Sequence, residues 1–417
     1  RNRAGGGGGP VKVDPDAAGM DGRQLALVDE HLRTRYIEPG KLAGCQVVVA
    51  RRGQVAHASS LGERDRERGR PVGDDTIWRL YSMTKPITGV ALLTLYEKGL
   101  FQLGDPVHRF IPEWRDLKVS EKLDDGSRRL VEPHRPMTVR DLMMHMSGLG
   151  YGPRNTDIDV AMLRRGPGAA FGKGVTLASM MEALAEAPLR FHPGTRWLYS
   201  LSTDACARLV EVLSGQPFDE YLRTTLFEPL GMVDTAFHVP DEKLDRFAAC
   251  YARDAGKRLT LLDDPETSRY RRVPTLLSGG GGLVGTIDDY LRFCRMLLEG
   301  GTLDGVRILG RKTVELMRTN HLPGGGQLRD FALPGGYGEV GFDGMGFGLT
   351  VSVGLGPAAT QVTGSPGEFM WGGAASTIFW IDPVEELIVV FMTQFVPSGT
   401  FNFRGQLKAL VYPALVD

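Results

Sequence analysis

Arg79-Leu80-Tyr81-Ser82-Met83-Thr84-Lys85-Pro86 contains an S-x-x-K pair, Ser82 and Lys85. A lysine three residues after a serine on a helix lies one turn along on the same face, so its amine can reach the hydroxyl. A serine hydroxyl is a weak nucleophile at its free pKa and needs a neighbouring base or a partly desolvated amine. The motif is short enough to arise by chance, so its surroundings decide its meaning. Gly73 to Tyr81 reads as a loop and a short extended lead-in, after which Ile87, Val90, Ala91 and Leu95 recur at helical spacing and Gly99 closes the segment. Ser82 is therefore expected at a helix start, where free backbone N–H groups favour a developing negative charge. Pro86 fits a first helical turn, where no intrahelical hydrogen bond is lost.

Upstream, Leu25, Val28, Leu32 and Tyr36 mark an amphipathic helix stopped by Pro39-Gly40. Cys45 to Ala50 is a short apolar run, Arg51-Arg52-Gly53 a turn, and Gln54 to Ser59 a returning strand. Downstream, helical patterns dominate from Gly104 to about Pro274, including a capping-box spacing at Thr138 to Asp141 and a helix over Thr203 to Leu213. After the glycines at 279 to 282 another capped helix runs from near Thr286 to Leu298. The tail turns strand-like at Gly346 to Val353, Ser376 to Ile381 and Leu387 to Met392. Helix and strands at both ends with a helical middle predict an α/β (α+β) protein: a sheet domain over 21–105 and 275–417, interrupted by a mainly helical domain over 106–274. Residues 1–20, which include five consecutive glycines, are expected to be a flexible leader.

At 417 residues the chain can bury a large core, and 42% hydrophobic with 24% charged residues is ordinary for a globular protein. A net charge of -1 gives no electrostatic reason to expect nucleic acid or an anionic membrane. No apolar run approaches the roughly 20 residues of a membrane span. Cys45, Cys206, Cys250 and Cys294 lack C-x-x-C spacing and read as reduced core residues. No positively charged stretch followed by an apolar signal region is visible, so a cytoplasmic location is expected, with a periplasmic one after removal of a signal peptide as the alternative. No H-E-x-x-H or cysteine-histidine zinc spacing occurs, so neither a metal nor a cofactor is expected.

Two further clusters carry chemistry. Tyr199 sits in Trp197-Leu198-Tyr199-Ser200-Leu201, between the turn Phe191 to Thr195 and the helix from Thr203. Trp371-Gly372-Gly373-Ala374 precedes a strand, and its two glycines leave backbone open to close approach, as an oxyanion donor or substrate-binding edge requires. Competing motifs are absent: no serine has glycine both two residues before and two after it, and the glycines at 279 to 282 lack the trailing Lys-Ser/Thr of a phosphate loop. Of eight histidines, His145 lies nearest a motif and reads as support for the Ser147-Gly148 turn.

Taken together, the three clusters resemble the serine-reactive fold of penicillin-binding proteins and class C β-lactamases, and within it the family VIII carboxylesterases. That family carries S-x-x-K, then Y-S-x, then W-G-G where β-lactamases carry K-T-G. Here these are Ser82 to Lys85, Tyr199-Ser200-Leu201 and Trp371-Gly372-Gly373, in that order, with Leu142 to Leu149 resembling the family's LLxHxSGL stretch. The resemblance implies a β-lactamase-like, mainly antiparallel sheet flanked by helices. It implies Ser82 as nucleophile and Lys85 with Tyr199 as one hydrogen-bonded proton-transfer unit. The N–H groups of Ser82 and Ala374 would form the oxyanion hole, with Trp371, Gly372 and Gly373 at the substrate.

Leu201 stands where the lactamases commonly have an asparagine, and Trp371 where they have the K-T-G lysine. Without that cation a substrate carboxylate beside the tryptophan would be buried unpaired, at a cost of several kcal/mol. A small-molecule ester with a short to medium, neutral acyl group is therefore the expected substrate, with weak β-lactam hydrolysis as a side activity. The alternatives are a β-lactamase or D-amino-acid peptidase, and a penicillin-binding sensor that acylates and stalls. The glycine-rich, charged segment 151–174, with Arg154, Arg164, Arg165 and Phe171, is expected to be a flap over the acyl pocket.

Overall fold

The computed structural model describes residues 12–151 and 173–417. Its centre is an eight-stranded sheet in which every neighbouring pair runs antiparallel. In chain order the strands are β1 (Gly44–Arg51), β2 (Gln54–Asp65), β3 (Arg70–Pro71), β4 (Met345–Phe347), β5 (Ser352–Gly354), β6 (Phe369–Gly372), β7 (Ile378–Asp382) and β8 (Leu387–Thr393). Across the sheet they lie in the order β4-β5-β6-β7-β8-β1-β2-β3. The early and late parts of the chain meet where β1 pairs with β8, Val48 opposite Val390 and Val49 opposite Val389. Every residue of these two strands is buried, which is why they read as unbroken apolar runs with no alternation.

Five longer helices matter for the site: α1 (Gly22–Leu32), α2 (Thr84–Tyr96), α3 (Ser202–Ser214), α4 (Ile287–Leu298) and α5 (Phe403–Val411). Tyr290 of α4 packs on Phe379 of β7 at 5.2 Å between ring centroids, and Phe403 of α5 packs on Phe391 of β8 at 4.9 Å. Phe391 is the partner of Ile378, whose side chain points away from that of its neighbour Phe379, so α4 and α5 cover opposite faces. Trp371 is paired with Phe379 and therefore faces the α4 side. The caps anticipated from sequence are present at Thr138 and Thr286, whose hydroxyls accept from Asp141 N and Asp289 N.

The middle of the chain holds two hairpins as well as helices: Val119–Lys122 with Arg128–Val131, and Cys250–Arg253 with Leu259–Asp263. Their outer strands are largely solvent-facing, with Leu130 and Leu262 exposed, and bury too little to impose the apolar alternation that announces a strand. The predicted strand Gly346 to Val353 is instead the tight hairpin β4–β5. Residues 12–20, assigned to the leader, belong to the fold. Ala18 and Met20 are buried, Asp14 N donates to Val55 O, and Asp21 N donates to Ala414 O. Most of the proposed flap, residues 152–172 with Arg154, Arg164, Arg165 and Phe171, lies outside the described residues. Among the described residues no helix is long and apolar enough to cross a membrane.

Candidate active site

Ser82 lies in a 3-10 turn, Tyr81–Met83, that leads directly into α2. The lead-in is pinned from several sides. Trp78–Arg79 pairs with Val284–Gly285, Leu80 N donates to Leu283 O, and the buried Arg79 guanidinium pairs with Asp263 at 2.7 Å and lies over the Phe247 ring. Tyr81, next to the serine, has φ +44°, a left-handed conformation that a bulky residue adopts only where its surroundings impose it. One turn into α2, the fully buried Lys85 donates from Nζ to Ser82 Oγ at 3.0 Å, to Tyr151 OH at 2.7 Å and to Gly280 O at 2.6 Å. Burial disfavours the ammonium and brings the Lys85 pKa down to about 7, against an opposing pull from Asp204 and Glu339.

Gly280 is held by Asp204 of α3. The Asp204 carboxylate accepts from Gly280 N at 3.2 Å and from Ser278 Oγ at 2.6 Å, and burial raises its pKa. A Cβ on Gly280 would stand 2.5 Å from Asp204 Oδ2, so only glycine lets the two approach. The run at 279 to 282, read from sequence as a structural turn, thus also supplies a partner of Lys85.

Tyr199 reaches the site on the loop before α3. That loop is stitched to residues 145–151: Leu198 N donates to His145 O, Leu201 N to Gly150 O, His145 Nδ1 and Ser200 Oγ are 3.0 Å apart, and Ser147 Oγ and Ser202 Oγ are 2.7 Å apart. His145 therefore holds the Tyr199 loop in addition to its own turn. The Tyr199 ring lies under Lys85 Nζ at 4.5 Å from its centroid, while its hydroxyl accepts from Trp371 Nε1 at 3.2 Å. Burial pushes its pKa well above the usual phenol range, with Tyr151 and Glu339 adding to the rise and hydrogen bonding to Ser82 and Trp371 opposing it. The expected Lys85–Tyr199 unit is therefore arranged differently: the amine meets the Tyr199 ring face and donates its phenolic hydrogen bond to Tyr151 OH. Tyr151, placed by sequence at the edge of the flap, is the site residue that sequence reasoning missed; its signal was a tyrosine flanked by Gly150 and Gly152 just after the Ser147-Gly148 turn.

A cavity of about 830 Å³ opens on Ser82, lined by Tyr151, Tyr199, Leu201, Phe237, Leu333 and Ala374 among others. Ala374 N has no acceptor among the described residues and is free to meet a ligand, and the same holds for Ser82 N. Trp371 is fully buried behind the wall, and neither it nor Gly372 or Gly373 lines the cavity. Its indole N–H is turned to Tyr199 OH. A Cβ on Gly373 would meet Leu80 O at 2.4 Å, so the glycine lets the end of β6 close against the Ser82 loop.

One trio of possible metal ligands occurs among the described residues, Glu121, His134 and His192, and none of them lines the cavity. The two imidazoles stack at 3.5 Å with planes 6° apart, so their in-plane lone pairs do not converge on one ion, and Glu121 is engaged by Arg129.

A model of the Beta-lactamase family matches residues 30–412. The chain belongs to the beta-lactamase family. Within that family it is 30% identical to Esterase EstB of Burkholderia gladioli over 418 residues, 94% of each chain. It is 34% identical to an uncharacterized protein of Mycobacterium tuberculosis over 387 residues, 91% of each. The solved structure of EstCE1, a hydrolase with promiscuous acyltransferase activity, superposes with a TM-score of 0.77 at 27% identity, covering 95% of this chain and 99% of that one. The family, the antiparallel β-lactamase-like fold and the esterase relative agree with the resemblance drawn from the S-x-x-K, Y-S-x and W-G-G motifs.

Proposed function

We propose that the protein is a carboxylesterase that hydrolyses short- to medium-chain, neutral acyl esters through an acyl-serine intermediate. The observation that carries this reading is Ser82 Oγ at 3.0 Å from a buried lysine whose pKa has fallen to about 7, at the inner end of a cavity. At neutral pH a large fraction of Lys85 is the free amine, whereas burial keeps Tyr199 and Tyr151 protonated, which favours Lys85 as the base. A neutral amine has two N–H groups and one lone pair. Gly280 O accepts one hydrogen and Tyr151 OH the other, which leaves the lone pair for the Ser82 proton.

Ser82 Oγ attacks the ester carbonyl carbon as its proton passes to Lys85 Nζ. The carbonyl oxygen becomes an oxyanion held by Ser82 N and Ala374 N, each such donor contributing about 3 kcal/mol in the transition state. Collapse breaks the bond to the leaving alcohol, which takes the proton from Lys85 Nζ. Water then adds to the acyl-serine carbonyl carbon and gives a proton to the same amine; collapse breaks the bond to Ser82 Oγ, which takes that proton back from Lys85 Nζ, and the acid leaves. Ser82, Lys85 and Ala374 come from the sheet part (21–105 and 275–417), and Tyr151 and Tyr199 from the middle part (106–274), so the cavity lies between the two.

Leu198, Leu201, Phe237 and Leu333 in the wall support an apolar acyl group, and the absence of the K-T-G cation makes a carboxylate beside Ser82 costly. The esterase relative EstB supports the same reading. Four buried free cysteines support a cytoplasmic location. The test is a panel of para-nitrophenyl esters of increasing chain length beside nitrocefin. Steady multiple turnover of the esters, far above nitrocefin and lost in Ser82→Ala, is expected. A single stoichiometric burst would show a sensor, and faster nitrocefin cleavage would show a lactamase.

A further inference from the structure

The outer end of the cavity has a character that the acyl pocket does not explain. Three arginines fall within four residues, Arg269, Arg271 and Arg272, just after the second hairpin of the middle part. Arg271 points away, donating to Asp241 at 3.0 Å and to Glu266 O at 2.6 Å, and does not line the cavity. Arg269 and Arg272 are exposed and do line it, on the same wall as Tyr270. Neither has a carboxylate within ion-pair distance among the described residues; Arg269 leans on the Tyr270 ring and donates to its hydroxyl at 3.3 Å. Lys173 lines the same cavity.

The two acids in the wall form no ion pair with Arg269 or Arg272 and act on Lys85. Asp204 is buried and bound to Ser278 and Gly280, Glu339 accepts from Tyr337 OH at 2.7 Å, and burial raises the pKa of both. In a chain of net charge -1, the cavity mouth is thus locally cationic. Unpaired guanidinium groups at an opening attract carboxylates and steer them in.

We propose that Arg269 and Arg272 bind a carboxylate at the far end of the substrate, so that the preferred esters are neutral at the scissile carbonyl and acid-tailed several bonds away. This deepens the esterase reading and rests on it. The inner end excludes an anion because Trp371 replaces the lysine, while the mouth admits one where water and two arginines solvate it.

Two matched pairs test the proposal: para-nitrophenyl hydrogen suberate against its methyl ester, with the acid on the acyl side, and 4-acetoxybenzoate against its methyl ester, with the acid on the alcohol side. The readout is the ratio of kcat/KM for acid over neutral ester, compared between wild type and Arg269→Gln/Arg272→Gln. For at least one pair the wild-type ratio is expected to be about tenfold at low salt, to shrink as salt rises, and to approach about one in the double variant. Arg271→Gln should keep the wild-type ratio. A ratio near one in both pairs, or a ratio the double variant leaves unchanged, overturns this proposal while the esterase reading stands. No turnover of any of the four esters overturns both.

Discussion

The inner end of the cavity and its mouth are built on opposite terms. Inside, Lys85 is 0% and Tyr199 5% exposed, and the reacting groups are held by Gly280 O, Trp371 Nε1 and ring faces. At the mouth Val273 is 64% and Tyr337 46% exposed, and Arg269 and Arg272 stand in solvent. Desolvation makes the inner chemistry possible, because only a buried amine falls to about pH 7, and it also makes each inner contact costly to lose. Charges at the mouth are screened, so each can change selectivity only modestly. The two ends should therefore respond to substitution on different scales and through different kinetic constants.

The largest effect belongs to Lys85. Lys85→Ala should lower kcat by three orders of magnitude or more with the fold intact, because the base is lost outright. In the wild type the active form is the free amine, so activity should be low well below pH 7, rise through about 7 and level off above it. A flat profile across that range would break the link between burial and base strength.

The next test separates the two tyrosines. Tyr199→Phe removes the hydroxyl that hydrogen-bonds with the Ser82 nucleophile and should reduce kcat by about a hundredfold. Tyr151→Phe removes one partner of the ammonium and should cost about tenfold in kcat. With the ammonium less stabilised, the Lys85 pKa falls, so the acid limb in Tyr151→Phe should move to lower pH. The reverse ranking, with Tyr151→Phe the more damaging and no displaced limb, would make Tyr151 a proton carrier.

The parts legible in the sequence are those whose signal is local. Ser82 and Lys85 share one helical turn, the β1–β2 hairpin announces itself by an apolar run and a turn, and Tyr199 stands out in a short loop before α3. The remainder depends on contacts between distant residues. Trp371 reaches Tyr199 across 172 positions and Asp204 reaches Gly280 across 76, and no periodicity encodes either. The W-G-G motif alone therefore suggests Trp371 at the substrate, without its hydrogen bond to Tyr199. The hairpin strand Arg128–Val131 was illegible for the opposite reason: it buries too little to impose a pattern.

Trp371 gives the smallest and most discriminating test of the division between inner end and mouth. Trp371→Phe keeps an aromatic ring in a fully buried position but deletes the N–H that holds Tyr199 OH at 3.2 Å. A single neutral hydrogen bond contributes about 0.5 to 1.5 kcal/mol, which is roughly a two- to tenfold change in rate. Because Trp371 does not line the cavity, that change should fall on kcat, with KM and chain-length preference nearly as in the wild type. The smaller ring also leaves a void, so a drop in melting temperature is expected alongside it and must be measured separately. If the substitution instead moves KM and acyl preference while kcat stays put, Trp371 touches substrate, and the inner wall takes part in selection as well as in chemistry.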